Sequence, residues 1–538
     1  MRRPLIFFFI SIFIISQFLT ESVFAYTTNM NASVVVGKPT FTSPADFTAS
    51  ATNLYGVSDM AISGTKFIVA DCNHNRVLIY NTIPTANGAA ANVVVGQVNM
   101  TSSTSNQGGT VGANTLSCPG GVLVVGDKLL IADSGNHRVL IYNTIPTSNN
   151  ASANVVIGQA NMTTGTANQG GAVGANTLNG PGGLDYDSST GKLFVTDSFN
   201  NRVLIYNAIP TANNAAANVV VGQADMTGSA FNQGGAISAN GFDAPYDVAV
   251  TGNTLLIADS SNSRILIYNS IPIANNASAN VVIGQVDMIS GSVNQGGAVG
   301  ANTLNESTSV FSDGTKVFIA DVTNNRVLIY NSIPTSNNAS ADVVIGQTNF
   351  TGSSANQGSA TPGANTLFNP SYVITSGSTM FIADDQNGRV LLYEDVAVTP
   401  TPSSGTSAPT SVSPSSCGAT APHSSPNLFQ IDVKDTSATL YFAPVAGPVN
   451  RYFIAYGYTP GDERFGVEFS QGASTGVVAY TVGYLSPNST YYFRVRGGNG
   501  CQPGAWGNEM KIRTEKKGTS LIRTFYKNFP SRIAGRRL

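Results

Sequence analysis

The sequence predicts an all-β chain, a six-bladed β-propeller followed by a β-sandwich. Three observations carry that prediction: a charge-poor composition, a long internal repeat, and a second alternating segment beyond a Pro/Ser/Thr-rich break. Only 10% of the 538 residues are charged, against about 25% in an average globular chain. Such a balance, with 55 Gly, suits short strands joined by polar turns and argues against long helices. Single cores rarely grow beyond about 250 to 300 residues, so a chain of this length holds two or more units.

Residues 1–25 read as a signal peptide. Arg2 and Arg3 form a basic start, Leu5 to Ile15 an apolar run, and Val23-Phe24-Ala25 a cleavage site before Tyr26. That run is shorter than the roughly 20 residues that span a bilayer, and no later segment is longer, so the mature chain is expected to be secreted or at the cell surface without a transmembrane span. An uncleaved anchor is the alternative. Export favours pairing of the four cysteines, and the absence of CxxC spacing removes a zinc reading.

Residues 26–396 hold six copies of one pattern. A recurring Asp falls at Asp71, Asp133, Asp197, Asp259, Asp321 and Asp384, so that successive copies are offset by 62, 64, 62, 62 and 63. Each copy offers four strand candidates; in the third they are PGGLDYD (181–187), KLFVTDS (192–198), RVLIYN (202–207) and NVVVGQ (218–223). Four strands per repeat make one propeller blade. After Arg389 to Tyr393 the fourth strand is missing, but VVVGK at 34–38 can supply it, closing a ring and removing exposed sheet edges.

An Arg stands at the fifth place after each recurring Asp, giving Asp71/Arg76, Asp133/Arg138, Asp197/Arg202, Asp259/Arg264, Asp321/Arg326 and Asp384/Arg389. A catalytic pair is not needed six times around a ring. The pair is expected to be structural, the carboxylate accepting turn N–H groups and meeting the guanidinium across the turn between the second and third strands. His74 and His137 are read as equivalent turn positions, where other copies carry Asn201, Ser263, Asn325 and Gly388, and both are expected to be solvated. In a four-stranded meander this turn and the connection to the next blade emerge at one end. Cys72 and Cys118 lie in those two places in adjacent blades and are expected to pair. The connections, such as Gln97 to Pro119 and Gln159 to Pro181, run to about 20 residues, well beyond the usual four to six. They repeat NQGG at Asn106, Asn168, Asn232 and Asn294 and NQGS at Asn356, which argues that each packs on its neighbour. Sequons such as Asn99-Met-Thr and Asn161-Met-Thr are what this composition supplies by chance.

The run P-G-G-L-D-Y-D, G-K-L-F-V-T-D-S-F-N-N-R-V-L-I-Y resembles the NHL repeat, a blade motif with Pro at the blade start and Asp-Ser-x-Asn-x-Arg before the third strand. The resemblance spans all six copies and implies a six-bladed propeller. It leaves function open, because the family includes RNA-binding, protein-binding and enzymatic members. Propellers related by fold include secreted lyases and lactonases with a channel metal held by His, Asp, Glu or Asn. The inner strands of this chain contain no His; the twelfth place before the recurring Asp holds Asp59 and Asp247 on opposite blades, weak candidate ligands for calcium or magnesium. No nucleophile stands beside a base. A formal net charge of −2 offers no basic field for nucleic acid.

Residues 397–425 form a Pro/Ser/Thr-rich linker. Residues 426–515 then alternate as about seven strands, which suggests a sandwich. The segment Leu485-Ser-Pro487-Asn-Ser489-Thr-Tyr491-Tyr-Phe493-Arg-Val495 resembles the fibronectin type III signature, with Ser489 in place of the usual Thr. That resemblance implies that Tyr491 is the tyrosine corner, that Trp506 precedes the last strand, and that Cys417 and Cys501 meet at one pole and pair. The tail, 516–538, carries Lys516, Lys517, Arg523, Lys527, Arg532, Arg536 and Arg537 without an acid. It reads as a solvated end, with weak contact to an anionic surface as its functional alternative. The sequence thus predicts an exported or cell-surface, monomeric, non-catalytic binding protein without cofactor, whose propeller face recognises a protein or glycan. The alternative is a metal-dependent propeller hydrolase or lyase, lactonase-like or amidating-lyase-like, with its site in the channel.

Overall fold

The computed structural model describes residues 23–394 and 396–398, and residues 420–516 apart from 435, 462–464, 470–475, 483–484, 486–487 and 500–501. Most of the expected signal peptide and linker, nearly all of the basic tail, and Cys417 and Cys501 lie outside the described residues. The chain divides into two compact units, Met1–Pro402 and Ser403–Leu538.

The first unit is built from six antiparallel sheets of four strands, each a meander. In the third repeat these are Pro181–Asp187, Lys192–Asp197, Arg202–Tyr206 and Val219–Val221. Leu193 pairs with Tyr206, Asp197 with Arg202 and Val203 with Val221. The strands read as unbroken apolar runs because both faces are covered. Leu204 enters a core with Leu130 and Ala132 of the second repeat, whereas its neighbours Val203 and Ile205 enter a core with Leu255 and Ile257 of the fourth. Such cores lie between each successive pair of sheets and also between the sixth and the first, where Phe381 and Leu392 join Phe67 and Leu78. As expected, the sixth sheet takes its fourth strand from the other end of the chain: Val34–Val36 pairs with Arg389–Glu394, Val35 opposite Leu391.

Each fourth strand is an edge, and an edge with free N–H and C=O groups is an aggregation hazard. The next repeat caps it. Val94 N–H donates to Asn149 Oδ1 at 3.0 Å, while Asn150 N–H donates to the Val94 carbonyl at 3.0 Å. Asn213/Asn214, Asn275/Asn276 and Asn337/Asn338 serve Val156, Val220 and Val282 in the same way. Asn87 and Gly88 of the first repeat cap Val35, and Asn29 caps Val344. A short pairing of Val23–Ala25 with Val396–Val398 adds a two-stranded piece; cleavage before Tyr26 would remove one of its strands.

The second unit holds a three-stranded sheet, Asn427–Val433, Ala438–Ala443 and Val478–Val482, and a second sheet in which Arg451–Gly457 lies between Phe465–Phe469 and Thr490–Asn499. Both Gln502–Trp506 and Met510–Arg513 pair with Thr490–Asn499. Leu440, Tyr452, Tyr491 and Val495 fill the core. Of these strands Gln502–Trp506 is not among those the sequence predicts; it is held by Arg496, which pairs with Trp506 and lies 4.4 Å from the centre of its ring. No described helix is long and apolar enough to cross a membrane.

Cys72 and Cys118 form a disulfide across a sequence separation of 46. Closing a loop on that scale is worth about 2 to 4 kcal/mol through the unfolded chain. Replacing both cysteines by Ser, the residue that Ser134, Ser198 and Ser260 place directly after the recurring Asp where the first repeat has Cys72, is expected to lower urea-unfolding stability by that amount; an unchanged midpoint would contradict it.

Candidate functional site

The turns between second and third strands and the long connections lie at one end of the sheets, here the clasp end. Hairpins between first and second strands lie at the opposite, hairpin end. At the clasp end the recurring Asp and Arg are fully buried in every repeat, with Nε to Oδ2 at 2.7 Å in each.

In the third repeat Asp197 Oδ1 accepts the Asn179 N–H at 2.7 Å, and Oδ2 accepts Arg202 Nε at 2.7 Å and Asn200 Nδ2 at 2.8 Å. Burial pushes this carboxyl above its usual range while Arg202, Asn200 and the amide pull it back. Every one of these neighbours donates, so the site holds the ionised form. Arg202 then reaches outward: Nη1 donates to Met226 O at 2.6 Å, and Nη2 donates to Gly174 O at 2.9 Å and Thr177 O at 3.1 Å. One guanidinium thus ties the connection arriving from the second sheet to the one leaving for the fourth. A planar fork of donors suits this; the ammonium of Lys would not.

The expected confinement of each pair to its own turn is too narrow. Every one of the six Arg side chains leaves the turn to bind main chain of two connections. Arg76 donates to Met100, Ser50 and Asn53, and Arg138 to Met162, Gly112 and Thr115. Arg264, paired with Asp259, donates to Met288 O at 2.7 Å and to Ser238 O and Gly241 O, both at 2.9 Å. Arg326, paired with Asp321, donates to Phe350 O and, at 2.9 Å each, to Gly300 O and Thr303 O. Arg389, paired with Asp384, donates to Phe41, Gly363 and Thr366. The physical reason is that Nε alone satisfies the carboxylate, which leaves both Nη groups buried and in need of acceptors.

The expected equivalence of His74 and His137 is incorrect. His74 stands at the third place after its Asp, where later repeats carry Asn136, Asn200, Asn262, Asn324 and Asn387. It is buried, with Nδ1 2.9 Å from Asp71 Oδ2 and Nε2 2.8 Å from the Phe47 carbonyl oxygen. His137 stands at the fourth place after its Asp, with φ 54° like Asn75 and Asn201. Its Nδ1 accepts the Gly180 N–H at 3.0 Å, the bond that Asn75 Oδ1 and Asn201 Oδ1 make to Cys118 and Ala244. Half-burial lowers the His137 pKa, which favours the neutral ring that this acceptor role requires. Neither histidine is the solvated turn residue expected.

The connections owe their shape to NQGG. Asn106 and Gln107 both take left-handed backbone, φ 50° and 56°, a conformation that Gln seldom adopts. Hydrogen bonds offset that strain: Gln107 Nε2 donates to Asn114 O at 2.9 Å and to Asn150 Oδ1 of the next repeat at 2.7 Å.

First strands of all six repeats line one cavity of about 160 Å³, whose walls include Ala61, Leu123, Asp185, Ala249, Phe311 and Ile374. Asp59 Oδ2 accepts the N–H of Val122 in the next sheet at 2.8 Å, and Asp247 Oδ2 accepts that of Val310 at 3.1 Å. Their other oxygens accept the N–H of Met60 and of Val248. The two candidate ligands are thus engaged in knitting adjacent inner strands. Asp185 stands at the same twelfth place before Asp197 and escapes the sequence reading; it accepts the N–H groups of Tyr186 at 2.7 Å and Val250 at 2.6 Å. It sits further along its strand than Asp59, opposite Phe194 rather than the residue next to the recurring Asp, because the hairpin Asp187 to Gly191 is longer than Gly64–Thr65. Gly183 takes the matching position, where a Cβ would overlap Asp247 Oδ1. Burial pushes Asp185 and Asp247 up to about 7, and burial reinforced by the Asp247 charge raises Asp59 well above the usual carboxylate range. Such groups can hold or release a proton near neutrality. Among the described residues no group of three His, Cys, Asp or Glu side chains is placed to share a metal ion.

No protein-family model and no curated protein matches the chain. Solved structures similar to it include hydrazine synthase of Kuenenia stuttgartiensis, 11% identical with a TM-score of 0.35 over 65% of this chain and 99% of that one. A nidogen/laminin complex is 12% identical, TM-score 0.29, over 54% and 83%. The fn3 domain of human contactin 1 is 16% identical, TM-score 0.17, over 23% and 100%. At these identities and scores nothing of those proteins' activities carries over.

Asp133→Ala is expected to cost about 3 to 5 kcal/mol in urea unfolding, since it leaves Arg138 buried without its counter-charge; a loss under about 1 kcal/mol would contradict the clasp. Two carboxyls of the inner strands set a pH dependence. Asp185 and Asp247 titrate near 7 in the fold and near 3.8 when unfolded. Between those values the folded chain holds protons that the unfolded chain has released, so their contribution to stability falls as pH rises from about 4 to 7 and is level on either side. Thermal melts should show a shallower decline over this range in Asp185→Asn and Asp247→Asn than in the wild type, and identical slopes would refute the assignment.

Proposed function

We propose that the chain is an exported or cell-surface binding protein without catalytic activity. In this reading the six sheets are blades of a closed, NHL-like propeller, residues 26–396, and residues 426–515 are a fibronectin type III-like module behind a linker. Closure is supported by the core between the sixth and first sheets, by the fourth strand from Val34–Val36, and by the single cavity that all six first strands line. The observation that carries the functional reading is the fate of the repeated ionic groups. All six Asp–Arg pairs are buried and bonded to main chain at the clasp end, which fixes the connections as a rigid platform. Loops positioned on a rigid scaffold are a common seat of recognition, and the partner class is a protein or a glycan.

A second reading, a metal-dependent hydrolase or lyase, draws on one observation, the gathering of Asp59, Asp185 and Asp247 by the cavity with pKa values pushed up by burial. The purified chain separates the two. Binding to an immobilised protein or glycan panel, with no metal-dependent turnover of lactones, is the expected result. Stoichiometric metal that Asp59→Asn or Asp247→Asn removes, accompanied by turnover, would overturn the binding reading.

A further inference from the structure

The repeats depart from their symmetry at the clasp end in two places, the connection 39–56, which lacks NQGG, and repeats three to five. At the clasp end of repeats three to five, exposed apolar side chains replace residues that are small or polar in most sister copies. Phe199, 67% exposed, stands where other repeats carry Asn73, Gly135, Ser261, Thr323 and Gln386. Phe231, 61% exposed, replaces Ser105, Ala167 and Ala355. Ile289, 71% exposed, replaces Thr101, Thr163, Thr227 and Thr351. Tyr246, beside the mouth of the inner strands, replaces Ser58, Gly120, Gly182, Thr308 and Ser371. Of nine exposed large apolar residues described in the first unit, Ile273 alone lies at the hairpin end. Single exposed apolar residues are ordinary, but several gathered at one end mark a contact surface.

Charge follows the same division. Asp225 and Asp287 stand where Asn99, Asn161 and Asn349 stand in sister copies, and Glu306 where Asn369 stands. All three acids are at the clasp end and at least partly exposed. No exposed Lys or Arg accompanies them among the described residues: the six recurring Arg and Lys38 are buried, and Lys66, Lys128, Lys192 and Lys316 lie by the starts of second strands at the hairpin end. There they mix with Asp127, Asp187, Asp313, Glu394 and Asp342, the last standing where Asn92, Asn154, Asn218 and Asn280 stand in sister copies. The hairpin end is therefore nearly balanced, whereas the clasp end is acidic and apolar.

We infer that the clasp end of repeats three to five docks a polypeptide segment that carries both basic and large apolar side chains. The inference rests on the binding reading above and names its surface and partner chemistry. Apolar contacts supply the desolvated centre, and the acids steer the basic residues and exclude acidic competitors.

Sister repeats provide the test, because each substitution restores a residue that the same fold already accepts. Probes are synthetic peptides: alternating Lys and Phe, alternating Glu and Phe, and poly-Lys. The Lys/Phe peptide is expected to bind the intact chain more tightly than either control. Affinity should fall about tenfold or more in Phe199→Gly/Phe231→Ala/Ile289→Thr and again in Asp225→Asn/Asp287→Asn/Glu306→Asn, as removal of hot-spot contacts does. Asp127→Asn/Asp313→Asn at the hairpin end should leave it unchanged. Equal binding of the Glu/Phe peptide, or insensitivity to both clasp-end variants, overturns the inference. Capture of a glycan that both clasp-end variants retain, with no peptide binding, also overturns it while leaving the binding reading standing; metal-dependent turnover removes both.

Discussion

A carboxylate and a guanidinium, both shut away from water, meet at the same place in each of the six repeats, and the rest of the first unit depends on them. A buried ion pair is weak evidence of stability for its own sake, since desolvation costs several kcal/mol per ion. What makes the pair worthwhile is the use of every remaining donor. Arg202 satisfies three carbonyls on two connections, and Asp197 anchors the amide of Asn179 at the end of one of them. Loops of about 20 residues that would otherwise be loose become fixed parts of the sheet ends.

The same use of polar groups appears at the other vulnerable places. Fourth strands would present open edges, and in four of the six a pair of Asn residues from the next repeat caps both N–H and C=O. Inner strands run side by side without a ladder between them, and Asp59, Asp185 and Asp247 reach across to the neighbouring amide. Asn and Asp are abundant here because short side chains with acceptors can bond main chain close by and tolerate left-handed backbone. A composition poor in charge and rich in Asn is therefore the signature of a molecule held together by side-chain to main-chain bonds between repeats.

Much of this was legible from spacing. The recurring Asp marks the period, the apolar runs mark four strands, and VVVGK at 34–38 appears where the sixth sheet takes its last strand. Spacing fails where an offset of one changes a role. His74 and His137 fall one position apart after their Asp, so one replaces an Asn that donates to the carboxylate and the other an Asn that accepts from the next repeat. Asp185 stands at the twelfth place that the spacing marks, but two additional positions in its hairpin set it opposite Phe194, so equal spacing does not mean an equal place on the strand. The Asp–Arg spacing shows which groups meet, but not that the far ends of Arg264 and Arg326 find carbonyls on loops over twenty positions away in sequence. In the second unit the strand Gln502–Trp506 contains Gly and Pro, which local propensity reads as a turn; pairing to Arg496 overrides it. The exposed Phe199 and Phe231 gain meaning only when the sheets show which end they share.

Hydrogen exchange in Arg202→Lys tests the central claim most directly. Lys keeps the charge opposite Asp197 but loses the fork that reaches Gly174, Thr177 and Met226. If the clasp organises the connections, amides between residues 160 and 180 and between 224 and 243 exchange faster while the first and sixth repeats keep their protection. Unchanged exchange in both connections would contradict the account.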